Sequence, residues 1–471
     1  MYNVALWMEG NRLYHAQSTK DKIKLFLLIM WPILITQVGY NAMGLFDTIM
    51  SGKYGTDDLA GVAIGSNLWM PVFVAINGVL LAITPIISQL VGAKKQEQIA
   101  PSVTQALYLA FFISIGVIAA GIFLVDPVLT LMKLETNVHY IAKQYLIGLS
   151  FGIIPLFLSC VIRNFFDSQG HTWITMFIIL IAVPFNIVLN YFLIYGKYGF
   201  PELGGAGAGY ATAATYWFIL AMSILLTFLV EKMKVHKLLL SWPKISLRAW
   251  KSQLAIGIPI GLSVFFEASI FSLVALFMGS MFDTTTIAAH QAAASWSGMM
   301  FMIPLSISMA LTILVGFEVG ARRLSHAKAY SKIGVFSAVG VIGTLAIILF
   351  FNRDIVSYWF TDSSEVALLA QQFLIFVIFF QLSDSAQASL QGALRGYKDV
   401  TLPFIIALVS YWIIGIPFGY FLAARTELGP YGFWLGIIAG LSCAAIGFLI
   451  RLRYIQRTSQ QSGSIAKTVS A

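Results

Sequence analysis

The stretch SVFFEASIFSLVALFMG, residues 263–279, decides the fold class of this chain. Every residue in it is apolar or small except one carboxylate, Glu267, and the apolar character extends over residues 252–280. A helix needs about 20 such residues to cross the hydrocarbon core of a membrane. The stretch therefore predicts a membrane-spanning helix that carries a charged group inside the membrane.

The composition of the whole chain also indicates a membrane protein. Of its 471 residues, 59% are hydrophobic and only 10% are charged, and the mean hydropathy is +0.84. A soluble domain carries about 25% charged residues. The first apolar run, from Leu25, is too long for a signal-peptide core and lacks a clear cleavage site, so we expect no cleaved signal peptide.

Similar apolar runs recur along the sequence and predict twelve spanning helices. The predicted spans are 25–50, 59–86, 103–125, 140–162, 172–195, 206–230, 252–280, 286–315, 331–351, 366–392, 401–423 and 431–453. The longest polar connection separates spans six and seven. The predicted parts are an N-terminal tail (1–24), an N-lobe (25–230), a linker (231–251), a C-lobe (252–453) and a C-terminal tail (454–471).

An internal repeat relates the two halves. QLVGAKK (89–95) follows span two and FEVGARR (317–323) follows span eight, while PELGGAG (201–207) and TELGPYG (426–432) precede spans six and twelve. Two matches at nearly the same offset indicate duplication. Because six spans is an even number, both halves enter the membrane in the same direction. We predict an all-α membrane protein with two six-helix lobes related by a pseudo-two-fold axis along the membrane normal, as in many transporters.

The basic residues collect on one side of the predicted membrane. The termini and the even-numbered connections hold 23 of the 29 Lys and Arg residues. The positive-inside rule therefore places both termini in the cytoplasm and the chain in the cytoplasmic (inner) cell membrane. The net charge of +9 is then a topology signal, and no nucleic-acid partner is expected.

Three carboxylates fall inside predicted spans: Asp47, Glu267 and Asp384. No basic residue is predicted at the same depth, and an unpaired charge there costs at least about 2.5–3.5 kcal/mol. Such a group faces a watery cavity, holds a cation or takes up a proton, and each of these suits ion coupling. The alternative is that they hydrogen-bond neighbouring helices. Asp167, in contrast, is predicted to pair with Arg163 four residues earlier at a membrane boundary.

Further candidate residues lie in spans five and eight. In VPFNIVLNY (183–191), Asn186 and Asn190 share one helix face and offer carbonyl oxygens to a hard cation. The stretch SWSGMMFMIP (295–304) contains Met299 and Met300, whose adaptable side chains suit varied apolar cations. Packing against neighbouring helices or lipid is the alternative for these methionines.

Several kinds of chemistry are absent from the sequence. It has no G-x-x-x-x-G-K-[ST] phosphate loop, so ATP hydrolysis is not expected to drive transport. It has no HExxH motif or Cys/His cluster and no visible nucleophile–base arrangement, so we expect neither an enzyme nor a cofactor. The glycine-rich segment GGAGAG (204–209) predicts close helix packing.

A set of motifs, in order along residues 20–455, resembles the multidrug and toxic compound extrusion (MATE) family in its NorM-type bacterial branch. The motifs are GLFDTIMSG (44–52), LAGVAIGSNLW (59–69), PIISQLVGA (85–93), FFEASIF (265–271), IAAHQ (287–291), LRGYKD (394–399) and YGFWLG (431–436).

The resemblance implies a V-shaped twelve-helix fold that exchanges Na⁺ or H⁺ for organic cations by alternating access. It also implies an N-lobe cation or proton site at Asp47, Asn186, Asn190 and Thr212, and a C-lobe site at Glu267 and Asp384. Some relatives carry tyrosine where this chain has Phe380, whose ring can contact a cation but has no hydroxyl.

Other interpretations remain open from the sequence. A lipid-linked precursor flippase of related fold is the main alternative, and it is disfavoured because no Arg or Lys is predicted deep in the spans to bind phosphates. The sequence leaves Na⁺ and H⁺ as equal candidates for the coupling ion. We expect a monomer in the lipid bilayer whose substrates are organic cations that contact Asp47, Glu267, Asp384, Phe380, Met299 and Met300.

Overall fold

The computed structural model of the chain describes residues 16–240 and 242–469. Residues 1–15 of the predicted N-terminal tail therefore lie outside the described residues. Within the described ranges, all the regular secondary structure is helical. This agrees with the prediction of an all-α membrane protein.

Twelve spans, α1 to α12, account for nearly all of the described residues. Three of them are made of more than one segment: α2 and α4 are broken, and α11 contains a π-helical segment. The bounds are α1 Thr19–Tyr54, α2 Thr56–Leu80 with Ile83–Gly92, α3 Ile99–Leu131, α4 Thr136–Ser150 with Ile153–Ser168, α5 Thr172–Tyr195, α6 Ala206–Leu229, α7 Leu247–Met281, α8 Thr284–Gly320, α9 Leu324–Tyr358, α10 Ser364–Gly396, α11 Thr401–Leu408, Val409–Gly415 and Ile416–Arg425, and α12 Tyr431–Val469.

The predicted number of spans is confirmed. Eleven of the described helices are individually long and apolar enough to cross a membrane, and the bent pair of α4 segments makes the twelfth. The two segments of α4 meet at an angle of 49° at Phe151–Gly152, a break that hydropathy does not reveal. The bounds of α5 equal the predicted ones.

The last helix is longer than predicted. The sequence predicts a C-terminal tail at residues 454–471, but α12 continues as helix to Val469. The loss of hydropathy after residue 453 marks where the chain leaves the membrane, whereas polar residues such as Gln and Arg are good helix formers. Hydropathy therefore underestimates the length of this helix.

Contacts divide the described residues into two compact units. The first contains 31–91 and 95–261, and the second contains 16–30, 92–94 and 262–469. The first unit includes the predicted linker and the start of α7, because this connection packs against α3. Gln105 Nε2 donates to the Lys244 carbonyl at 2.8 Å, and Gln253 Nε2 donates to the Ser102 carbonyl at 2.9 Å.

The glycine-rich start of α6 allows close helix packing, as the sequence predicts. A Cβ atom on Gly209 would lie 2.3 Å from the Tyr145 carbonyl oxygen of α4, and one on Gly207 would lie 2.6 Å from the Leu193 carbonyl oxygen of α5. Small residues let membrane helices approach at backbone contact, where dispersion and polar contacts hold them together.

We predict that Gly209→Val destabilises the protein by about 1–3 kcal/mol, because a side chain there must push α4 and α6 apart. Gly340→Val is the matched control, since a Cβ at Gly340 of α9 meets no atom within 4 Å. Thermal unfolding of the purified variants in detergent measures both. Equal melting temperatures for the two variants would contradict the packing argument.

Candidate functional site

Three helices of the first unit converge on the carboxylate of Asp47. Asn190 Nδ2 of α5 donates to Asp47 Oδ1 at 2.6 Å, and Thr212 Oγ1 of α6 donates to Asp47 Oδ2 at 2.7 Å. Asp47 itself is only 4% exposed. The family resemblance predicts one site that contains Asp47, Asn190 and Thr212, and the structure brings all three into direct contact.

A second layer of hydrogen bonds holds the donors. Asn190 Nδ2 also donates to Asn186 Oδ1 at 3.2 Å, as expected for residues one turn apart on α5. Asn186 Nδ2 lies 3.4 Å from both Thr212 Oγ1 and Thr215 Oγ1 of α6. Both asparagines are 0% exposed. Thr215 is a member of this network that the sequence does not identify, because threonines are common in membrane helices.

The network contains an acceptor without a donor. Asn190 Oδ1 is buried and accepts no hydrogen bond within the described part of the chain, whereas buried amide oxygens are normally satisfied. A carboxylate beside an unsatisfied carbonyl oxygen is suited to a hard cation or a proton. We call Asp47, Asn186, Asn190, Thr212 and Thr215 the Asp47 network.

The rest of α1, α4 and α5 positions this network through apolar packing. A cluster of five buried residues lies beside it, with Met50 of α1 packed against the cluster. Tyr195 Oη of α5 donates to the Met50 carbonyl at 2.9 Å, which ties the end of α1 to α5. The cluster consists of Val62, Tyr145, Leu149, Ile194 and Ala208.

The predicted salt bridge between Arg163 and Asp167 is wrong, although the two charges interact electrostatically at longer range. Asp167 instead accepts a hydrogen bond from Thr175 Oγ1 at 2.8 Å. Arg163 Cζ lies 5.2 Å from the centre of the Tyr40 ring, and its Nη2 is 3.5 Å from Asn77 Oδ1. Arg163 therefore turns toward α1 and α2, where an aromatic face and an amide contact its charge.

The second unit contains the other two candidate carboxylates. Asp384 of α10 is 4% exposed and makes no hydrogen bond to any described residue. Glu267 of α7 is only partly buried, and the two carboxylates interact electrostatically. Like charges repel each other, so a cation or proton bound near them would stabilise both carboxylates.

A buried arginine supplies positive charge near Glu267, which hydropathy does not predict. Arg395 lies in the last turn of α10, is 4% exposed and donates to Gln391 Oε1 at 2.5 Å. Its guanidinium interacts electrostatically with Glu267. Arg395 lies just beyond the predicted span ten, but α10 stays helical and buried as far as Gly396, so this positive charge is buried within electrostatic range of Glu267.

A small cavity adjoins Glu267. It is lined by α7, α11 and α12 and has a volume of about 10 Å³, room for about one water molecule. Tyr411 of the π-helical segment lines it and accepts a hydrogen bond from Gln387 Nε2 at 2.6 Å. π-Helical turns inside α-helices frequently occur at functional sites. Sequence reasoning missed both Tyr411 and Gln387.

The remaining candidates differ in their surroundings. Phe380 is buried, and its ring centre lies 5.5 Å from that of Phe271 and 5.8 Å from that of Trp434. Met299 of α8 is 55% exposed, and Met300 is partly buried. The methionines make up part of a surface rather than of a packed core.

The described residues contain no group of three or more His, Cys, Asp or Glu side chains that could hold a metal ion.

We predict an energetic coupling between Arg395 and Glu267. Arg395→Gln removes the positive charge near Glu267 and leaves the Glu267 carboxylate uncompensated. Adding Glu267→Gln to the same chain removes that uncompensated charge. A double-mutant cycle on thermal unfolding should give a coupling of about 0.5–3 kcal/mol. Arg451→Gln is the control, because Arg451 pairs with Asp399 at 2.6 Å and should add independently to Glu267→Gln. Additive effects of Arg395→Gln and Glu267→Gln would contradict an electrostatic interaction between the two side chains.

Comparison with known proteins places the chain in a family. The MatE family profile matches residues 32–192 and 259–421. A protein of Halalkalibacterium halodurans described as probable multidrug resistance protein NorM is 52% identical over 96% of this chain and 98% of its own length. A Bacillus subtilis protein of the same description is 48% identical over 95% of this chain and 99% of its own length.

Solved structures with lower sequence identity to this chain have the same fold. The eukaryotic MATE transporter AtDTX14 is 19% identical, covers 94% of this chain and 99% of its own, and superposes with a TM-score of 0.84. The Vibrio cholerae MATE transporter VcmN in its bent form is 17% identical, covers 94% and 99% of the two chains and gives 0.83. The family match accounts for both the twelve-span fold and the NorM-type motifs. This chain belongs to the MatE family of membrane transporters, in the branch of its NorM relatives.

Proposed function

We propose that this protein exports organic cations from the cytoplasm in exchange for Na⁺ or H⁺ by alternating access. The observation that carries the proposal is the Asp47 network, a buried carboxylate whose hydrogen bonds within the described residues come from amide and hydroxyl donors. The names of the NorM relatives support multidrug efflux. In this proposal the protein acts as a monomer in the cytoplasmic membrane with both termini in the cytoplasm.

The Asp47 network supplies the coupling step of the mechanism. Binding of a proton or a cation to Asp47 weakens or replaces the hydrogen bonds from Asn190 and Thr212. Because these donors lie on α5 and α6, ion binding changes how α1 is held against both helices. An ion shifts a conformational equilibrium only if its affinity differs between the two conformations. In this proposal the two conformations differ in the Asp47 network, and therefore in their affinity for the ion.

The substrate, an organic cation, competes with the coupling ion for the carboxylate of Asp47. An organic cation drawn to Asp47 in one state is released when the coupling ion takes the carboxylate in the other. Glu267 and Asp384 would act as a second cation-responsive pair, with the positive charge of Arg395 within electrostatic range of Glu267. Met299 and Met300 would provide an adaptable apolar surface for varied substrates.

Histidines at the membrane boundary are poor candidates for the coupling proton. His171 lies between α4 and α5, where burial and then the nearby Lys232 lower its pKa to about 4. Burial also lowers the pKa of His236, in the connection after α6. Both are neutral above their lowered pKa, so neither carries a positive charge near pH 7.

The main alternative, a lipid-linked precursor flippase, needs basic residues within the bundle to bind phosphates. The sequence predicts no such residues deep in the spans; in the structure Arg163 is partly buried and Arg395 is buried, each toward the end of its helix. Both, however, already interact with polar or neutralising groups: Arg163 contacts Tyr40 and Asn77, and Arg395 donates to Gln391 and interacts electrostatically with Glu267. This arrangement favours the organic-cation exporter, because a phosphate would have to displace those contacts from either guanidinium.

We predict that wild-type protein in proteoliposomes moves a fluorescent organic cation when a pH or Na⁺ gradient is imposed, and that Asp47→Asn abolishes this gradient-driven movement. Each gradient is imposed separately, so that the coupling ion is identified. Transport that ignores both gradients, or that persists in Asp47→Asn at the wild-type rate, would overturn the proposal. Gradient-independent movement of a lipid-linked phosphate would favour the flippase.

We also predict that Thr212→Val lowers gradient-driven efflux by about tenfold, because it removes one hydrogen bond to the charged Asp47, worth roughly 1.5 kcal/mol. Thr227→Val is the matched control: Thr227 is also buried on α6, but it donates to the Ser223 carbonyl of its own helix, at 2.8 Å. Rates are compared at equal amounts of inserted protein. Equal losses in both variants would show that the Asp47 contact has no part in coupling.

A further inference from the structure

A large apolar cleft lies in the first unit, apart from the carboxylates described above. It has a volume of about 540 Å³ and opens among α2, α3 and the first segment of α4. α3 packs mainly against the second segment of α4. Because α4 bends by 49° at Phe151–Gly152, its first segment leaves α3, and the cleft fills the gap.

The surroundings of the cleft face lipid. Ile122, Phe123 and Leu131 on the same part of α3 are 72%, 74% and 81% exposed, and such apolar surface on a spanning helix contacts hydrocarbon. Of these Ile122 also lines the cleft, together with Leu124 and Ile147. Water is unfavourable in an apolar space of this kind, so the acyl chains around the protein are its natural content.

The length of the cleft matches one leaflet. Its lining on α3 runs from Val117 to Val128, which at a rise of 1.5 Å per residue is about 16 Å. The hydrocarbon core of a bilayer is about 30 Å thick. The cleft therefore has the length of one acyl chain within the leaflet on the side where α3 ends.

An ion pair stands at the end of the cleft. Lys143 Nζ lies 2.8 Å from Asp126 Oδ1, and their side chains are 37% and 52% exposed. Both residues line the cleft. An exposed pair of this kind contributes little to stability, so each partner can exchange the other for a ligand of opposite charge. The two together complement a headgroup with one anionic and one cationic group.

We propose that this cleft binds one phosphatidylethanolamine molecule, with an acyl chain between α3 and α4 and the headgroup on the ion pair. The phosphate accepts a hydrogen bond from Lys143, and the ammonium donates to Asp126. Charge-assisted hydrogen bonds of this type are stronger than neutral ones. Phosphatidylcholine fits less well, because its quaternary ammonium has no N–H to donate. The bound chain fills the space that the α4 bend creates.

Native mass spectrometry of the full-length purified protein tests the proposal. Delipidated protein is titrated with phosphatidylethanolamine or phosphatidylcholine of identical acyl chains. Wild-type protein should retain one phosphatidylethanolamine with an affinity about tenfold higher than for phosphatidylcholine. Gly121→Phe should lower this affinity at least about tenfold, because Gly121 lines the cleft and a Cβ there meets no protein atom within 4 Å.

Gly116→Phe is the matched control, since Gly116 is on the same helix, has equally open surroundings and does not line the cleft. It should bind like the wild type. Asp126→Asn with Lys143→Gln should keep lipid binding but lose the headgroup preference. Equal binding by Gly121→Phe and Gly116→Phe overturns the site, and equal affinity of the wild type for both lipids overturns the headgroup assignment. Displacement of the lipid by an organic cation would assign the cleft to substrate instead.

Discussion

The hydrogen bonds to Asp47 are the interactions on which the functional interpretation depends. A carboxylate in a helical membrane bundle is unfavourable unless something compensates its charge, and here the compensation comes from side-chain donors on α5 and α6. Donors of this kind stabilise the charge without neutralising it. Asp47 therefore remains available to a proton or a cation. Because α1, α5 and α6 all contribute side chains to the network, ion binding there changes the contacts among three helices.

The carboxylates of the two units are compensated in different ways. Asp47 has amide and hydroxyl donors, whereas Glu267 has a guanidinium within electrostatic range and Asp384 has no hydrogen bond to any described residue. A second ion or a cationic substrate near Glu267 would have to share it with Arg395. The two units thus have helical bundles in common but differ in the groups that surround their carboxylates.

Much of this could be predicted from the sequence. Apolar length predicts the twelve spans, because the membrane thickness sets them, and spacing on α5 places Asn186 and Asn190 on one face. Thr212 came only from the family resemblance, since a threonine in a helix has no pattern of its own. The α4 bend, the π-helical segment and the burial of Arg395 were missed. They depend on contacts between distant segments, which local hydropathy does not contain.

The central claim is that Asp47 changes its bonding when the coupling ion binds, and difference infrared spectroscopy of the carboxyl groups tests it most directly. Spectra of reconstituted protein are recorded before and after Na⁺ addition or acidification. The account predicts a carboxylate band that shifts in the wild type and in Glu267→Gln but is missing in Asp47→Asn. A difference spectrum that Asp47→Asn leaves unchanged would contradict it.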